Sequence, residues 1–359
     1  MTPTILNLTP FAQQCMLLMD REGQLFFCIL VCATYGVDET GEPFPLPVQP
    51  PPPLGDEPNG VPGRSSLRRA SAASVAKPAV DFIVNATAHA PHGEAVTEMA
   101  AGVRVGAWRK VLTVTGDRQR VGLTGTRVSS PQPFTAMPLR YERAFGGSVS
   151  DDADAVTACH TENPVGVGWR GAPSSDPAVT TDLPNIGPFG QRMNASDAAF
   201  PVSGFGAIAP NWTPRIHHAG TYDKTWTDSR WPLPPLDLDP RFAQCAPLDQ
   251  QWPHAMAHEE VQLANLTPEG LWGFRMPAPD IGVTVLHSTG IAQHRLRVDT
   301  VYVDAEARTV SVLARHCLTG LRSLGLVREI VIGDASPGWL RAQRRGKRYV
   351  GRAAPALAE

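Results

Sequence analysis

The chain has 359 residues, of which 42% are hydrophobic and 18% are charged, and its formal net charge is −2. A chain of this length can bury a large core, and its near-neutral charge excludes a global attraction to nucleic acid or to an anionic membrane. The 32 glycines and 35 prolines disfavour long helices and favour short strands joined by turns, which argues against an all-helical fold.

The six cysteines show neither CxxC pairs nor the dense spacing of a small secreted domain, so we predict reduced and mostly buried thiols. Cys28 and Cys32 share side-chain parity and are expected in the core on one sheet face. The first residues lack the features of a signal peptide, and the apolar run at 25–37 is too short to span a bilayer. We therefore expect a cytoplasmic protein that binds no membrane and no nucleic acid.

The first third of the chain predicts strands. Residues 16–37 predict a β-hairpin, because turn-forming residues at 20–23 separate two apolar runs. The proline-rich residues 43–63 predict an extended surface crossing, with a docking strap as the alternative. Residues 79–127 alternate apolar and polar side chains and predict an antiparallel meander, with a β-bulge near Gly106 where the parity changes.

The rest of the chain predicts loops, two short helices and further strands. Residues 146–220 are rich in Gly, Pro, Ser, Asp and Asn and predict a loop-dominated middle. One helix is expected at residues 223–230 with Thr221 as N-cap, and another between residues 240 and 251 with Asp239 as N-cap. Residues 301–316 predict a hairpin.

The predicted fold is therefore mainly β, with packed antiparallel sheets in a sandwich-like arrangement, a long loop-rich middle and two or three short helices. One β-rich domain should span residues 1–335, or two β-rich lobes at about 1–145 and 200–335 should be joined by the loop-rich segment. Residues 336–359 contain a basic cluster and predict a partly disordered tail, with an acidic partner as the alternative.

Two patterns suggest an enzyme. His254 and His258 have the helical spacing of a metal site, but Ala255 stands where zinc hydrolases place a glutamate. Asp237 and Asp239 lie among tryptophans, as in a glycosidase, although Asp239 is explained as a helix cap and Asp237 as a partner of a nearby arginine, Arg230 or Arg241. We therefore predict no catalytic residue, metal or cofactor, and keep a carbohydrate-active or metal-dependent hydrolase as the alternative.

Motifs along most of the chain match one family in their order and spacing. They are NLTPF (7–11), SSLRRAS (65–71), KPAVDFIVNATAHAP (77–91), VGAWRKVLTVTGDR (105–118), LRYERAFGG (139–147), ENPVGVGW (162–169), LPNI (183–186), GFGAIAPNWTPR (204–215) and a stretch that begins GTYDKTWTDSRW at residue 220. With them the chain resembles the family encoded beside the spike genes of bacterial type VI secretion clusters, often near PAAR-like proteins, and regarded as spike–effector adaptors or chaperones.

The resemblance implies a non-enzymatic protein that binds a secreted effector, a PAAR-like tip protein or both, and helps load them onto the VgrG spike. Such an adaptor would stay in the cytoplasm. A structural spike accessory that travels with the apparatus is a further alternative. The residues agree with an adaptor, because a long aromatic, loop-rich stretch lies between two β-rich portions and interfaces favour such side chains.

The motifs also supply the candidate binding residues. In RYERAFGG, we predict a charge network around Tyr141, a buried phenylalanine, and glycines that let the backbone pass closely. In GTYDKTWTDSRW, Asp223 should accept from nearby amides or Arg230, and the tryptophans should pack against the sheets, which makes the stretch a rigid, mostly buried brace. The full set of partner-binding candidates is Arg140, Tyr141, Glu142, Arg143, Phe145, Asn163, Trp169, Trp212, Arg215, Tyr222, Asp223, Trp226, Arg230, Trp231, Asp239 and Arg241.

Overall fold

The computed structural model describes residues 3–121, 127–150, 155–170, 182–288, 290–319 and 327–347. Within these ranges the protein is mainly β, with several antiparallel sheets and two α-helices, which confirms the predicted fold class.

A seven-stranded sheet forms the middle layer. In spatial order its strands are β2 (Ala12–Met19), β3 (Leu25–Val37), β26 (Thr309–Thr319), β25 (Arg297–Asp304), β7 (Val80–Asn85) and β20 (Gln251–Trp252), with β4 (Pro43–Pro45) paired to β3. Neighbouring strands are antiparallel, except that β7 and β25 run parallel. The hairpins predicted at 16–37 and 301–316 are confirmed as β2–β3 and β25–β26.

Two further sheets flank the central one. The five-stranded sheet contains, in spatial order, β19 (Ile186–Pro188), β10 (Trp108–Thr115), β9 (Glu98–Val105), β21 (Glu260–Ala264) and β22 (Leu271–Arg275). The four-stranded sheet contains β1 (Thr4–Asn7), β27 (Val327–Ile332), β23 (Gly282–His287) and β24 (Gly290–Arg295).

Short strands build the remaining connections, in one three-stranded sheet and four two-stranded ribbons. The three-stranded sheet contains β12 (Arg127–Val128), β11 (Arg118–Val121) and β18 (Asp182–Leu183), and the ribbons pair β5 (Glu57–Pro58) with β6 (Leu67–Arg69), β8 (Thr87–His89) with β13 (Ala136–Pro138), β14 (Phe145–Gly146) with β17 (Val167–Gly168), and β15 (Ser148–Ser150) with β16 (Val156–Cys159). The described parts of residues 146–220 are loop-dominated, as predicted.

The central sheet is buried on both faces. On β3, Leu30 and Cys32 join a core shared with the five-stranded sheet, whereas Ile29 and Val31 join a core shared with the four-stranded sheet. Successive side chains of a strand point to opposite faces, so a strand between two cores needs apolar residues at every position. This explains the continuous apolar run at 25–37 and extends the predicted sandwich to three β layers.

The first α-helix, α1 (Lys224–Ser229), lies where it was predicted. Its N-cap is Asp223, whose side chain accepts from the backbone N–H of Trp226, and the expectation that Thr221 caps it is wrong. The second predicted helix shortens to a 3-10 turn at Pro240–Ala243, and Asp239 caps it as expected. Among the described helices, none is both long and apolar enough to cross a bilayer.

A second α-helix, α2 (Pro337–Arg344), begins where the disordered tail was expected. Ser336 caps it, and Trp339 is buried against Leu286 and Val331 of the four-stranded sheet. One buried aromatic side chain therefore anchors a segment whose basic composition suggested a solvated end. The remainder of the predicted tail, residues 348–359, lies outside the described residues.

Residues 79–121 do not form the predicted antiparallel meander. Strand β7 belongs to the central sheet, whereas β9 and β10 form a hairpin in the five-stranded sheet, in which Val105 pairs with Trp108. The predicted bulge near Gly106 is also wrong. Gly106, with a φ of +52°, is the first residue of a two-residue turn, and the turn itself changes the side-chain parity.

The cysteines follow the prediction only in part. Cys15, Cys32, Cys159 and Cys245 are free thiols, but Cys28 and Cys317 form a disulfide between β3 and β26, which corrects the expectation of six reduced thiols. The strand register places these two residues opposite each other, with their Cα atoms 4.1 Å apart. Because 289 positions separate them in the sequence, no local spacing predicts the pair.

Candidate partner-binding surface

A groove of about 600 Å³ opens between β10 and the loops that carry several of the motifs. Its lining includes three predicted binding residues, Tyr141, Arg215 and Arg241. We call it the motif groove, and its wall also contains Lys110, Glu162, Phe189, His218, Leu248 and Asp249.

The side of the motif groove at Tyr141 is rigid. This buried side chain donates its hydroxyl to the carbonyl of Gly206 at 3.3 Å and packs edge-on against Trp212, with ring centroids 5.5 Å apart. The Asn163 amide donates to the carbonyls of Tyr141 and Phe145 at 2.8 and 3.0 Å. Burial raises the pKa of the Tyr141 phenol, so the ring stays neutral and serves as structure.

Arg215 lies at the start of a 3-10 turn beside the groove and is only 8% exposed. Its Nε donates to the carbonyl of Phe242 at 3.1 Å, and Nη1 donates to the carbonyl of Ile208 at 2.6 Å. The guanidinium also lies 5.5 Å from the centre of the Phe242 ring. None of the carboxylates in the described residues forms an ion pair with it. Arg215 therefore joins two loops while its charge remains unpaired.

The other cations of the groove wall are paired. Lys110 Nζ lies 2.9 Å from Asp249 Oδ1, and Arg241 Nη2 lies 2.7 Å from Asp239 Oδ2. Burial lowers the pKa of Lys110 despite the nearby Asp249 carboxylate. Two apolar side chains on the wall are largely open to solvent: Phe189 is 67% exposed and Leu248 is 71% exposed. The groove thus combines an apolar rim with one unpaired buried cation.

The aromatic motif forms a loop closed at its base, which we call the aromatic loop (residues 220–239). The Thr221 N–H and hydroxyl both donate to Asp237, at 3.0 and 2.7 Å, and the Asp239 N–H donates to the carbonyl of His218 at 3.0 Å. Gly220 has a φ of +80°, and a Cβ there would lie 2.8 Å from Pro235. The sequence therefore closes the loop through its own side chains. Because His218 and Arg241 flank it, the loop adjoins the motif groove.

Hydrogen bonds inside the aromatic loop also hold its aromatic part in place. The Trp226 indole donates to the carbonyl of Leu233 at 2.9 Å, and Arg230 Nε donates to the carbonyl of Pro234 at 2.7 Å. Asp237 accepts from Thr221 and pairs with neither Arg230 nor Arg241, contrary to expectation. The Asp223 side chain accepts from the backbone N–H of Trp226. Of the two predicted partners of Asp223, nearby amides or Arg230, the amide is therefore the one observed.

The prediction of a mostly buried brace is wrong. Trp231 is 68% exposed, Tyr222 is 57% exposed and Leu236 is 65% exposed, whereas Trp226 is half-buried beside the Tyr222 ring. The loop satisfies many of its polar groups internally, so its shape does not require packing against the sheets. What the sequence suggested as buried architecture is a rigid but solvent-facing aromatic surface.

The predicted charge network in RYERAFGG is also wrong. Glu142 accepts from the N–H and hydroxyl of Ser66 at 2.8 and 2.7 Å, whereas Arg143 donates to Asp117 at 3.1 Å. Arg140 is exposed and lines a separate groove of about 360 Å³. Glu142 and Arg143 therefore fasten a short 3-10 turn, Tyr141–Arg143, to two different neighbours, whereas Arg140 precedes the turn and faces solvent.

The packing part of the same motif is confirmed. Phe145 is 1% exposed, and a Cβ on Gly146 would collide with the carbonyl oxygen of Asn163, so the backbone does pass closely there. Trp169 packs partly buried against the Phe145 cluster and does not line the motif groove. These residues shape the loop region without reaching the proposed surface.

The residues of the hydrolase alternative do not form the expected arrangements. His254 and His258 lie in an irregular segment rather than on a helix, and His258 has a φ of +61°. Across the described ranges, no group of three His, Cys, Asp or Glu side chains has the geometry of a metal site. Hydrogen bonds from Arg241 lower the pKa of Asp239 to about 2, whereas a general acid near neutral pH needs a raised pKa.

Sequence reasoning missed a buried polar network behind the motif groove. The carboxylate of Asp81 accepts from Lys77 Nζ at 2.7 Å, from the side chain of Gln244 at 2.8 Å, and from the backbone N–H groups of Cys245 and Ala246 at 2.9 and 3.1 Å. Both partners of the ion pair are at most 2% exposed. The KPAVD motif contains the only local signal, a lysine four residues before an aspartate. The network fixes residues 244–246, two of which line the groove.

Comparison with known protein families identifies the family of this chain. A family model described as "Uncharacterized protein conserved in bacteria (DUF2169)" matches residues 22–315. The chain belongs to this DUF2169 family. The matched range contains the whole motif groove and the whole aromatic loop, whereas β1, β27 and α2 lie outside it. No curated protein and no solved structure matches the chain.

Proposed function

We propose that this DUF2169 protein is a cytoplasmic adaptor or chaperone of bacterial type VI secretion. It binds a secreted effector, a PAAR-like tip protein or both, and helps load them onto the VgrG spike. The motif resemblance supplies the class of partner. The observation that carries the binding role is the aromatic loop, which presents Tyr222, Trp231 and Leu236 to solvent on a hydrogen-bonded frame.

The aromatic loop has the properties of a binding surface. Tryptophan, tyrosine and arginine dominate the energetics of protein interfaces, and exposed apolar patches mark interaction sites. Because Thr221–Asp237 and Trp226–Leu233 contacts hold the loop, little conformational entropy is lost when a partner covers it. The neighbouring motif groove offers a concave site for a segment of the same partner.

Co-purification tests this function. The tagged chain, co-expressed with the neighbouring effector, PAAR-like and VgrG genes, should recover at least one of these proteins. Trp231→Ala should weaken recovery about tenfold or more, because a central interface tryptophan commonly contributes 2 kcal/mol or more. Leu271→Ala, at a comparably exposed site on β22, is the control and should leave recovery unchanged. Failure to recover any of the three proteins would overturn the proposal.

A secretion assay separates the adaptor from a structural spike component. An adaptor stays in the cell while the effector is exported, whereas a spike component appears in the medium together with VgrG. Finding the chain in the medium with intact cells would replace the adaptor with the accessory role.

A further inference from the structure

We propose that the motif groove binds a carboxylate carried on an apolar peptide segment of the partner, and that Arg215 is the residue that binds this carboxylate. The proposal deepens the adaptor function and relies on it only for the identity of the partner. The carboxylate can come from an acidic side chain or from a chain terminus, and the chemistry at Arg215 is the same for both.

Arg215 is the first observation behind the proposal. Burying a charge is costly unless it is paired or well hydrogen-bonded, and two buried cations elsewhere, Lys77 and Arg315, have aspartate partners, Asp81 and Asp299. Buried Arg118 donates to two carbonyls as Arg215 does, but it does not line the groove. Arg215 is 8% exposed and donates only to two carbonyls through Nε and Nη1. Among the described residues, no acceptor binds its Nη2. Its charge and one edge of its fork are therefore left for a ligand in the groove that it lines.

The charges around the groove favour a single carboxylate. Three lysine or arginine side chains line the groove, and two of them, Lys110 and Arg241, are each paired with an aspartate. The third, Arg215, has no acidic partner within the described ranges. Glu162 stands on the same wall and forms no ion pair with a lysine or arginine among the described residues, and its charge repels a dianion such as phosphate more strongly than a single carboxylate. The planar guanidinium fork matches a carboxylate in geometry, and one cation balances one negative charge.

The rim of the groove specifies an apolar neighbour for that carboxylate. Phe189 and Leu248 are 67% and 71% exposed, and Ile208 and Val202 extend the apolar lining inward. A volume of about 600 Å³ lies in the range that holds a drug-sized ligand, which corresponds to a short peptide segment. The expected ligand is therefore one or two large apolar side chains beside one acid.

Four peptides test the acid requirement on the full chain. Acetyl-Leu-Leu-Glu-amide is compared with its Gln counterpart, and acetyl-Leu-Leu-Leu with a free carboxyl terminus is compared with its amide. Calorimetric or NMR titration should show one acid binding about tenfold or more tightly than its neutral match, which is typical of a hydrogen bond to a charged group. The pair that shows the preference identifies the source of the carboxylate. Equal affinities within both pairs would overturn the proposal.

Two variants assign the preference to Arg215. Arg215→Gln should abolish it, whereas the control Arg118→Gln should retain it, because Arg118 is also a buried arginine that donates to two carbonyls but lies outside the groove. An acid preference that survives Arg215→Gln contradicts the proposal.

A variant at an exposed site tests the proposal even when the Arg215→Gln protein does not fold. Leu248→Glu places a competing carboxylate on the rim at a position that is 71% exposed, and it should reduce the acid preference at low ionic strength. An unchanged preference in folded Leu248→Glu protein would place the acid site elsewhere and overturn the proposal.

The two proposals fail in different ways. If spike or effector proteins co-purify equally with the wild type and with folded Arg215→Gln protein, the adaptor function stands and the carboxylate site is wrong. If acidic peptides bind through Arg215 but none of the secretion proteins is recovered, the site stands and the adaptor function is wrong.

Discussion

Two ion pairs of this protein have the same length and opposite surroundings. Lys77 Nζ and Asp81 Oδ2 are 2.7 Å apart behind the motif groove, with side chains 2% and 0% exposed. Arg241 Nη2 and Asp239 Oδ2 are also 2.7 Å apart at the base of the aromatic loop, but their side chains are 62% and 31% exposed. The comparison indicates that burial, rather than the distance between the charges, decides how much such an ion pair contributes to the stability of the fold.

The buried pair holds the fold together, because each charge depends on the other. Without Asp81, the buried Lys77 ammonium would keep only the neutral Thr300 hydroxyl and Cys245 thiol as hydrogen-bond partners, and two backbone N–H groups would lose their acceptor. The exposed pair shapes the end of a loop, where water can replace either partner. A binding surface on the loop can therefore change in sequence with little effect on the stability of the sheets.

The largest expected effect comes from breaking the buried pair. Asp81→Asn keeps the shape of the side chain but leaves the Lys77 charge uncompensated, so the free energy of unfolding should fall by about 3–5 kcal/mol in denaturant titrations. Asp239→Asn, the matched change in the exposed pair, should lower it by less than about 1 kcal/mol. Equal losses in the two variants would show that burial does not separate these pairs.

A second variant tests whether the unpaired charge causes that loss. Lys77→Met combined with Asp81→Asn removes both charges and should recover part of the stability. Burial lowers the pKa of Lys77, but the nearby Asp81, Cys245 and Asp299 together with the hydrogen bond to Asp81 raise it by more, and the pKa stands at about 12. A raised lysine pKa contributes stability that is present below the unfolded pKa, about 10.4, and is lost as the pH rises through 12. Lys77 is thus charged at neutral pH, and the loss in Asp81→Asn should be constant there.

The aromatic loop should respond to a change at its base with a smaller, local effect. Gly220→Ala introduces a Cβ at a φ of +80°, 2.8 Å from Pro235 and 2.9 Å from Asp237, and should cost about 1–3 kcal/mol of local strain. Trypsin should then cut faster after Lys224 and Arg230, while denaturant unfolding changes little. Gly190→Ala is the control, because its φ is +75° but its Cβ would meet no atom within 4 Å. Identical cleavage of Gly220→Ala and wild type would contradict a loop held by its own contacts.

The sequence predicted the fold class because alternation and turn residues are local signals. The hairpins at 16–37 and 301–316 needed only an apolar run on each side of a turn. The sequence did not predict the parallel pairing of β7 with β25 or the Cys28–Cys317 disulfide, because both depend on contacts between strands more than two hundred residues apart. The bulge prediction near Gly106 failed for a different reason, since a two-residue turn and a bulge both change parity.

The candidate surface was predicted in its members but not in its arrangement. The motifs identified Tyr141, Arg215 and Arg241, which the fold brings to one groove from three segments of the chain. Phe189 and Leu248 escaped notice because a single apolar residue in a loop has no pattern. The exposure of Trp231 was predicted wrongly, since composition cannot distinguish a tryptophan packed on a sheet from one on a self-bonded loop.

The smallest expected effect concerns the pH dependence of the exposed pair. Hydrogen bonds from the Arg241 side chain and backbone lower the pKa of Asp239 to about 2, below its unfolded value of about 3.9. A lowered carboxylate pKa contributes stability that is present above pH 4 and is lost as the pH falls to about 2. The difference in unfolding free energy between the wild type and Asp239→Asn should therefore be below about 1 kcal/mol at neutral pH and should vanish near pH 2. Salt at about 1 M should shrink it as well, because the pair is open to solvent. A difference that persists at pH 2 would mean that the Asp239 side chain stabilises the loop without its charge, as a neutral cap of residues 240–243, rather than through the ion pair with Arg241.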